Sequence, residues 1–472
     1  MIQSIAQKEF VSTLRDRRFV VLSVLVLGLL LAATLVGRAS YRTLQRERTV
    51  AQQTVNDQFH HQPNRHPHRV AHYGSFAFRP KSGLSFLDAG LDSFTGASVF
   101  LEAHQQNSVN FSQAQQSGSL IRFGELTVAF VLQLLVPLLI IFLCFSAFTE
   151  ERETGTLKLL LSQGVSLRQV AWGKIVGYGR AVALVVGPAL ALAAWLLFGE
   201  EEFGNNPDLW VRLALFGASY VVYFFLFIVG SVVVSAWQQH ARTALVTLLG
   251  CWMLGCIILP KATANLGANL FPTITKAQMD AAVHEEAQKG INGHDPQDKR
   301  TALLKENLLK KYGVTSEKEL PVSVGGLVMA ESEAYTSQVY QQHFADLTRT
   351  YERQNALSTW AGLLNPYQAI RPLSIGLAGS DFAHYVHFQQ AAEDYRYQLV
   401  QRLNALQASM GYGDKERKLD AATWRAIPTF AYHAPPLSWA LGYLLVPALA
   451  LLLWAVGLSW LGLKVIDKTP IA

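Results

Sequence analysis

Histidine is the residue type whose spacing in this sequence could support chemistry. Five of the thirteen histidines fall within one short polar stretch: His60, His61, His66, His68 and His72. Imidazoles spaced this closely can bind copper or zinc, and a histidine-rich tract is a compositional hint of metal binding. A solvated loop that happens to be rich in histidine is the simpler interpretation. The sequence therefore predicts no metal site. These five histidines are only weak candidates for metal ligands.

Catalytic patterns are incomplete in this chain. The stretch His284-Glu285-Glu286-Ala287-Gln288 approaches the H-E-x-x-H signature of zinc proteases, but the second histidine is missing. No G-x-x-x-x-G-K-[ST] phosphate loop occurs, because Gly173-Lys174 is followed by Ile175 and lacks the upstream glycine. We therefore expect neither a catalytic residue nor a bound cofactor, which argues against an enzyme in its own right.

The composition indicates that much of the chain lies in lipid. Half of the residues are hydrophobic and only 16% are charged, whereas about a quarter are charged in soluble proteins. The net charge is +6, but no basic stripe with interleaved aromatics is present, so nucleic acid is not an expected partner. Cys144, Cys251 and Cys256 all fall within apolar runs. The polar segments therefore contain no disulfide framework.

Six apolar runs approach the length of about 20 residues that a membrane-spanning helix needs. They lie at about 19–36, 126–148, 175–198, 209–234, 245–259 and 437–463. The sequence predicts an all-α polytopic membrane protein with six transmembrane helices. Residues 1–18 precede the first run and are predicted to form an amphipathic helix on the inner membrane surface.

The distribution of basic residues predicts the orientation of the spans. Lysine and arginine are frequent in residues 1–18, 150–174 and 464–472, whereas 199–207 contains three glutamates and neither basic type. This bias places both termini in the cytoplasm, although four arginines just after the first run oppose it. The expected division is an extracytoplasmic loop at 37–125, four spans at 126–260 with a cytoplasmic helical loop at 150–174, an extracytoplasmic domain at 261–436, the last span at 437–463 and a cytoplasmic tail at 464–472.

The domain at 261–436 is predicted to be mostly helical. Apolar residues recur at intervals of three and four in 339–351 and again in 382–410. These two segments are expected to pack as a helical hairpin, with Asn365-Pro366-Tyr367 as a turn between them. The loop at 37–125 shows little clear periodicity.

One cytoplasmic segment is the most informative. It reads Glu150-Glu151-Arg152-Glu153-Thr154-Gly155-Thr156-Leu157, and a Leu160-Leu161 pair follows. Leucines 157, 160 and 161 make one face of a short helix, for which Gly164 is a suitable C-terminal cap and Ser166 the N-cap of the next helix. Such a helix can seat in a groove on a partner. An interfacial helix without a partner is the alternative.

This segment resembles the coupling-helix loop of the ABC-2-type transporter permeases. That family shows a Glu-Arg-Glu-x-Gly-Thr-Leu stretch, a Leu-Leu pair and a Gly-Lys that leads into the next span, here Gly173-Lys174. Later stretches resemble a branch of the family with a large extracytoplasmic insertion before the last span. They include Asn365-Pro366, Ala378-Gly379-Ser380-Asp381 and Tyr395-Arg396.

The resemblance implies an ATP-driven transporter whose ATPase is a separate chain that carries ATP and Mg²⁺. It implies that residues 150–174 contain the coupling helix and that the ATPase acts through Glu151, Glu153, Gly155, Thr156, Leu157 and Leu160. It also implies a dimer with a second permease copy or a paralogue, in contact with lipid in a bacterial inner membrane. An exporter is the expected function. The alternative is a mechanotransmission or assembly component. In that case ATP hydrolysis moves the extracytoplasmic domain at 261–436, called the outer domain below, without passage of a substrate.

Overall fold

The computed structural model describes residues 1–107, 126–198, 204, 206–292, 295 and 298–469. Within these ranges, six helices are long and apolar enough to span a membrane: Arg17–His60, Val128–Glu153, Leu167–Phe198, Pro207–Trp237, Ala241–Leu270 and Leu437–Asp467. The predicted fold class, an all-α multi-pass membrane protein with six spans and an N-terminal helix, is therefore confirmed.

The elements are numbered along the chain. Up to the third span they are α1 (Ile2–Arg15), α2 (Arg17–His60), α3 (Pro67–Tyr73), β1 (Ser75–Phe78), β2 (Ser98–Glu102), β3 (Gln105–Gln106), α4 (128–144), α5 (Thr149–Glu153), α6 (Thr156–Ser162) and α7 (Leu167–Phe198). The remainder are α8 (Pro207–Trp237), α9 (Ala241–Leu270), α10 (Lys276–Ala287), α11 (Lys299–Tyr312), α12 (Val324–Trp360), α13 (Pro366–Leu377), α14 (Phe382–Ala408), α15 (Ala421–Arg425) and α16 (Leu437–Asp467). Helices α4 and α9 each contain one π-helical turn, at Val131–Leu135 and Leu254–Ile258.

Helix α1 packs against the first half of α7. A Cβ atom at Gly173 would lie 2.6 Å from Cβ of Ile5, and one at Gly177 would lie 2.8 Å from the carbonyl oxygen of Ala6. Two glycines four residues apart therefore let the backbones of the two helices approach closely. The sequence contains this pair at the start of a predicted span, and the structure identifies α1 as the helix that packs there.

Helix α2 is far longer than the predicted first span at 19–36. It has 44 residues, which corresponds to about 66 Å at 1.5 Å per residue. Its outer part packs through polar side chains: the Gln52 amide donates to the Phe76 carbonyl at 3.1 Å and accepts from the Phe78 amide at 2.9 Å. A search for apolar periodicity misses such a helix, because glutamines rather than leucines make its contacts.

Residues 75–106 contain a three-stranded antiparallel sheet in the order β1-β2-β3. Ser75 pairs with Leu101, and Glu102 pairs with Gln105 across a two-residue turn. Gln52 of α2 bonds to main-chain groups of β1 and so covers that edge of the sheet. The described part of the segment 37–125, for which the sequence predicted a loop, thus consists largely of the end of α2, α3 and this sheet.

The predicted hairpin of two long helices is present as α12 and α14. Ser337 of α12 donates to Glu393 of α14 at 3.2 Å, and a Cβ atom at Gly326 would lie 2.4 Å from the Ala408 amide nitrogen. The connection between them is not the predicted turn. Asn365 is the N-cap of α13, where its side chain accepts from the Tyr367 amide at 3.1 Å. An Asn-Pro pair suits the start of a helix as well as a turn.

The segment 361–377, which includes α13, returns into the bundle of spans. Asn365 donates to the Gly255 carbonyl at 2.6 Å, and the Trp454 indole donates to the Gly362 carbonyl at 3.0 Å. Gly255 and Trp454 lie about 20 Å along α9 and α16 from the ends nearest α5. Because the hydrocarbon core is about 30 Å thick, this segment reaches the middle of the spans. Part of the segment 261–436, which was predicted to be extracytoplasmic, is thus packed among the spans, an arrangement that is tolerated where protein surrounds the backbone.

Candidate functional site

The segment that resembles a coupling loop lies at the end of the bundle that also carries α1 and the last turn of α16, here called the terminal face. Glu151 is buried there in a network of charges. The Lys174 ammonium, whose side chain is 2% exposed, lies 3.0 Å from Glu151 and 3.2 Å from Glu9. Lys8 lies 3.1 Å and 3.0 Å from the same carboxylates. Burial alone would raise the pKa of Glu9, but the charges of Lys174 and Lys8 outweigh it and lower that pKa. The network joins α1, α5 and α7.

The next two residues of the motif bond to two further spans. Arg152 donates to the carbonyls of Ala236 at 2.9 Å and Gln238 at 2.5 Å, and so satisfies acceptors at the C-terminal end of α8. Glu153 accepts from the Ala241 amide at 3.4 Å, at the start of α9. Residues 151–153 therefore bond in turn to α1 with α7, to α8 and to α9.

Helix α6 carries the rest of the predicted coupling residues, and the structure divides them into an anchor and an exposed surface. Leu157 is fully buried and Leu160 is half-buried, whereas Leu159 is 61% exposed. Gly155 precedes the helix with φ of +73°, and it is exposed together with Thr156. The expectation that Leu157 faces a partner does not fit this geometry, because Leu157 points into the bundle. The surface left for a partner is Gly155, Thr156 and Leu159.

The predicted caps at the C-terminal end of α6 and the start of α7 are confirmed. Gly164 follows α6 with φ of +79°, a conformation that glycine adopts without strain. The Ser166 hydroxyl accepts from the Gln169 amide at 3.2 Å, and the Gln169 side chain accepts from the Ser166 amide at 3.0 Å. This reciprocal pair fixes the start of α7. The predicted helical stretch 150–174 is thus three helical pieces, α5, α6 and the start of α7.

A buried polar chain lies within the bundle, between α13 and two spans. The Ser374 hydroxyl donates to Asp88 at 2.5 Å and lies 2.9 Å from the Tyr220 hydroxyl. Gln133, in the π-helical turn of α4, donates to the Tyr220 hydroxyl at 2.8 Å. Asn365 bonds to Gly255 in the π-helical turn of α9. Such turns are frequent at functional sites. The sequence analysis missed this chain, although a glutamine inside an apolar run is a detectable signal.

The buried carboxyl group of Asp88 should make the stability of the protein depend on pH. Burial raises its pKa from 3.8 to about 6, which the hydrogen bond from Ser374 only partly offsets. Because the folded-state pKa is raised, the protonated form favours folding: its contribution is complete below about pH 4 and is lost as the pH rises to about 6. We expect Asp88→Asn, which keeps hydrogen-bonding capacity, to remove this dependence and to gain about 2–3 kcal/mol at pH 7.

Thermal unfolding of the detergent-purified protein between pH 4 and pH 7 measures this effect. Asp346→Asn is the matched control, since that side chain is 65% exposed. Parallel unfolding profiles for the parent and Asp88→Asn would contradict the assignment.

The five candidate histidines do not converge. Three make other contacts: His60 Nε2 lies 3.1 Å from the distant Ile427 carbonyl, His61 Nδ1 lies 2.7 Å from the Asp57 carbonyl, and His66 caps α3 by accepting from the His68 amide. His68 and His72 instead lie beside His104, with one ring nitrogen of each within 4.8 Å of the others. The sequence analysis missed His104, because only the β2–β3 hairpin brings it back to α3.

A cleft of about 620 Å³ opens beside His104, between the hairpin and helices α10 and α12. Its lining combines apolar and charged side chains, among them Met279, Tyr340, Phe344, Lys276 and Asp280. The volume lies within the range of small-molecule sites.

Two comparisons with known families agree with this architecture. Residues 95–253 match a family described as ABC-2 family transporter protein, and residues 276–433 match a domain of unknown function, DUF3526. The first match includes α4 to α8, and the second runs from the start of α10 nearly to the last span. No curated protein matches the chain.

Together, the matches and the six spans define a multi-pass membrane protein of the transport class. The two matched regions have the architecture of an ABC-2-type permease that carries a DUF3526 domain before its last span. The resemblance predicted from the sequence is thereby confirmed.

Proposed function

We propose that this chain is the transmembrane subunit of an ATP-driven exporter in a bacterial inner membrane, with both termini in the cytoplasm. A separate ABC ATPase, which holds ATP and Mg²⁺, would dock on the terminal face. The observation that carries the proposal is the arrangement of residues 151–153, which bond to four helices directly before the short, exposed helix α6.

The geometry of α6 suits transmission of movement. An ATPase groove would receive Leu159 and the exposed surface at Gly155 and Thr156. Leu157 fixes the helix to the bundle, so a displacement of α6 also displaces residues 151–153. Those residues pass the displacement to α1, α7, α8 and α9 together, since each is bonded to a different neighbour.

A second permease copy or a paralogue would complete the pathway. The most apolar stretches of α9 and α16 are only 17% and 22% buried within this chain. Their exposed side chains include Val246, Met253 and Ile257 on α9 and Leu452 and Val456 on α16. Such apolar faces suit lipid on one side and a partner permease on another.

One observation favours mechanotransmission as a second candidate function. Helix α2 runs unbroken from the terminal face to His60, where the histidine ring lies 3.1 Å from the Ile427 carbonyl. Arg48 on the same helix donates to the Arg79 carbonyl at 2.6 Å. A tilt of the first span would therefore move the outer domain directly. ATP-dependent substrate uptake into inverted proteoliposomes supports the exporter, whereas ATP-dependent outer-domain movement without uptake supports this second function.

Leu159→Asp is expected to lower recovery of the ATPase at least tenfold, because a charged group would replace an apolar contact at the centre of the docking surface. The measurement is affinity purification of the tagged chain from membranes, followed by mass spectrometry and an assay of ATP hydrolysis. Leu14→Asp is the matched control, since Leu14 is another exposed leucine at the terminal face.

The melting temperature should distinguish Leu159→Asp from a substitution at Leu157, the residue that anchors α6 to the bundle. Leu159→Asp should keep the parent's melting temperature, whereas Leu157→Asp should unfold the face because it buries a charge. If no ABC ATPase is recovered with the parent in gentle detergent or in nanodiscs, the proposed function is wrong.

A further inference from the structure

We propose that His68, His72 and His104 form a binding site for a borderline transition-metal ion, with Zn²⁺ or Cu²⁺ as the expected occupant. One ring nitrogen from each residue lies within 4.8 Å of the others. Two of these residues are among the histidines singled out in the sequence, and the third comes from a separate element. The site is independent of the α6 surface.

Secondary structure sets the positions of the three rings. His68 and His72 lie four residues apart on α3, so both project from one face of the helix. Their ring centroids are 4.6 Å apart, and the His104 ring lies 5.8 Å from His68 and 5.2 Å from His72. In a tetrahedral zinc site, ligand nitrogens lie about 3.3 Å from one another. The closure required is therefore about 1.5 Å or less, and His72 is exposed and can rotate to supply it.

His104 carries the support that ligating histidines usually have. Its Nδ1 lies 3.2 Å from Glu333, whose other carboxylate oxygen receives Arg396 at 2.5 Å. The amide of His104 also donates to Glu333 at 2.8 Å. A carboxylate on one ring nitrogen orients the imidazole and directs the opposite nitrogen, Nε2, toward an ion. One ring nitrogen of His104 is thus held by Glu333 of α12.

The backbone of His104 also has an unusual conformation. Among the described residues it is the one non-glycine residue with positive φ, at 65°. Glycine or asparagine is the usual choice for such a turn position. A strained residue persists only where the surroundings hold it, and such residues concentrate at ligand sites. Here the contacts with Glu333 hold His104 in this conformation, and a glycine at the same position would offer no ligand.

The ligand set defines the class of ion. Three neutral imidazoles suit Zn²⁺ and Cu²⁺, whereas Mg²⁺ and Ca²⁺ require oxygen ligands. Three histidines leave a fourth position open on tetrahedral zinc. That position would be available to water or to a molecule in the adjoining cleft, which His104 also lines.

Isothermal titration of the full-length chain in detergent tests the site. The tag must contain no histidines and the protein must first be treated with a chelator. We expect one Zn²⁺ or Cu²⁺ per chain, an increase in melting temperature on binding, and no response to Mg²⁺. His72→Ala and His68→Ala should each weaken binding at least tenfold. His61→Ala should bind as the parent does, since that exposed histidine lies at the end of α2.

Two results would overturn the proposal. One is a parent protein that binds neither Zn²⁺ nor Cu²⁺. The other is His72→Ala that binds the ion as tightly as His61→Ala does, with both variants showing the parent's melting temperature in the absence of metal.

Discussion

Replacement of Arg396 by methionine is expected to destabilise the outer domain by about 3–5 kcal/mol. The guanidinium is buried between Glu333 at 2.5 Å and Glu393 at 2.7 Å, and these three side chains are 0–3% exposed. Burial alone would raise the pKa of Glu333, but hydrogen bonding to His104 and the charge of Arg396 lower it to about 2. Methionine keeps most of the volume and removes the charge, so two buried carboxylates would lose their shared partner.

Denaturant unfolding of the purified protein, followed by limited proteolysis to locate the loosened part, measures the loss. Arg349→Met is the matched control on α12, because Arg349 pairs with Asp346 and both side chains are 65% exposed. Its expected effect is below about 1 kcal/mol. Adding Glu333→Gln and Glu393→Gln to Arg396→Met should recover part of the stability, since neutral amides cost less to bury than carboxylates. Equal losses in Arg396→Met and Arg349→Met would contradict the argument.

Local signals in the sequence predicted much of the fold. All six apolar runs coincide with the cores of long helices, because a run of about 20 apolar residues has few alternatives to a membrane span. The fifth run, 245–259, was shorter than its helix Ala241–Leu270, since α9 continues into a polar part. The caps at Gly164 and Ser166 were equally predictable, because each depends on residues within one turn of the chain.

Contacts between distant parts of the chain were not predictable in the same way. The outer part of α2 lacks an apolar stripe, and the segment 361–377 contains too few apolar residues to suggest that it returns among the spans. His104 joins His68 and His72 only through the sheet register. In each case the deciding contact is polar, and periodicity of apolar residues carries no information about it.

The candidate coupling site illustrates the same limit at the level of single residues. The motif located α6 correctly, and spacing alone placed Leu157, Leu160 and Leu161 on one face. Spacing does not tell which face points into the bundle, and the structure buries Leu157 while Leu159 is exposed. Likewise, the resemblance implied that the ATPase acts through Glu151, and the structure shows that its ionic partners are Lys174 and Lys8 within this chain.

The two lysines at Glu151 provide a direct comparison of burial. Both contact Glu9 and Glu151 at 3.0–3.2 Å, but the Lys174 side chain is 2% exposed and the Lys8 side chain is 58% exposed. Lys174→Met is expected to destabilise the terminal face by about 3–5 kcal/mol, since the two buried carboxylates would keep Lys8, which is solvated, as their one cation in this network. Lys8→Met should cost less than about 1 kcal/mol, because the pair it breaks is largely in water.

Lys174→Met should also separate the role of the charge network in folding from its role in coupling to the ATPase. At a temperature where Lys174→Met remains folded, Glu151 of α5 loses its ion pair with the third span while the exposed surface of α6 is unchanged. The variant should therefore still bind the ATPase, as measured by co-purification, but transmit less of its movement to the spans, as measured by ATP-dependent transport or outer-domain displacement. Leu159→Asp should behave in the opposite way and lose ATPase binding first. If both variants lose the ATPase equally, α6 is not an independent docking surface and the charge network itself forms part of the interface.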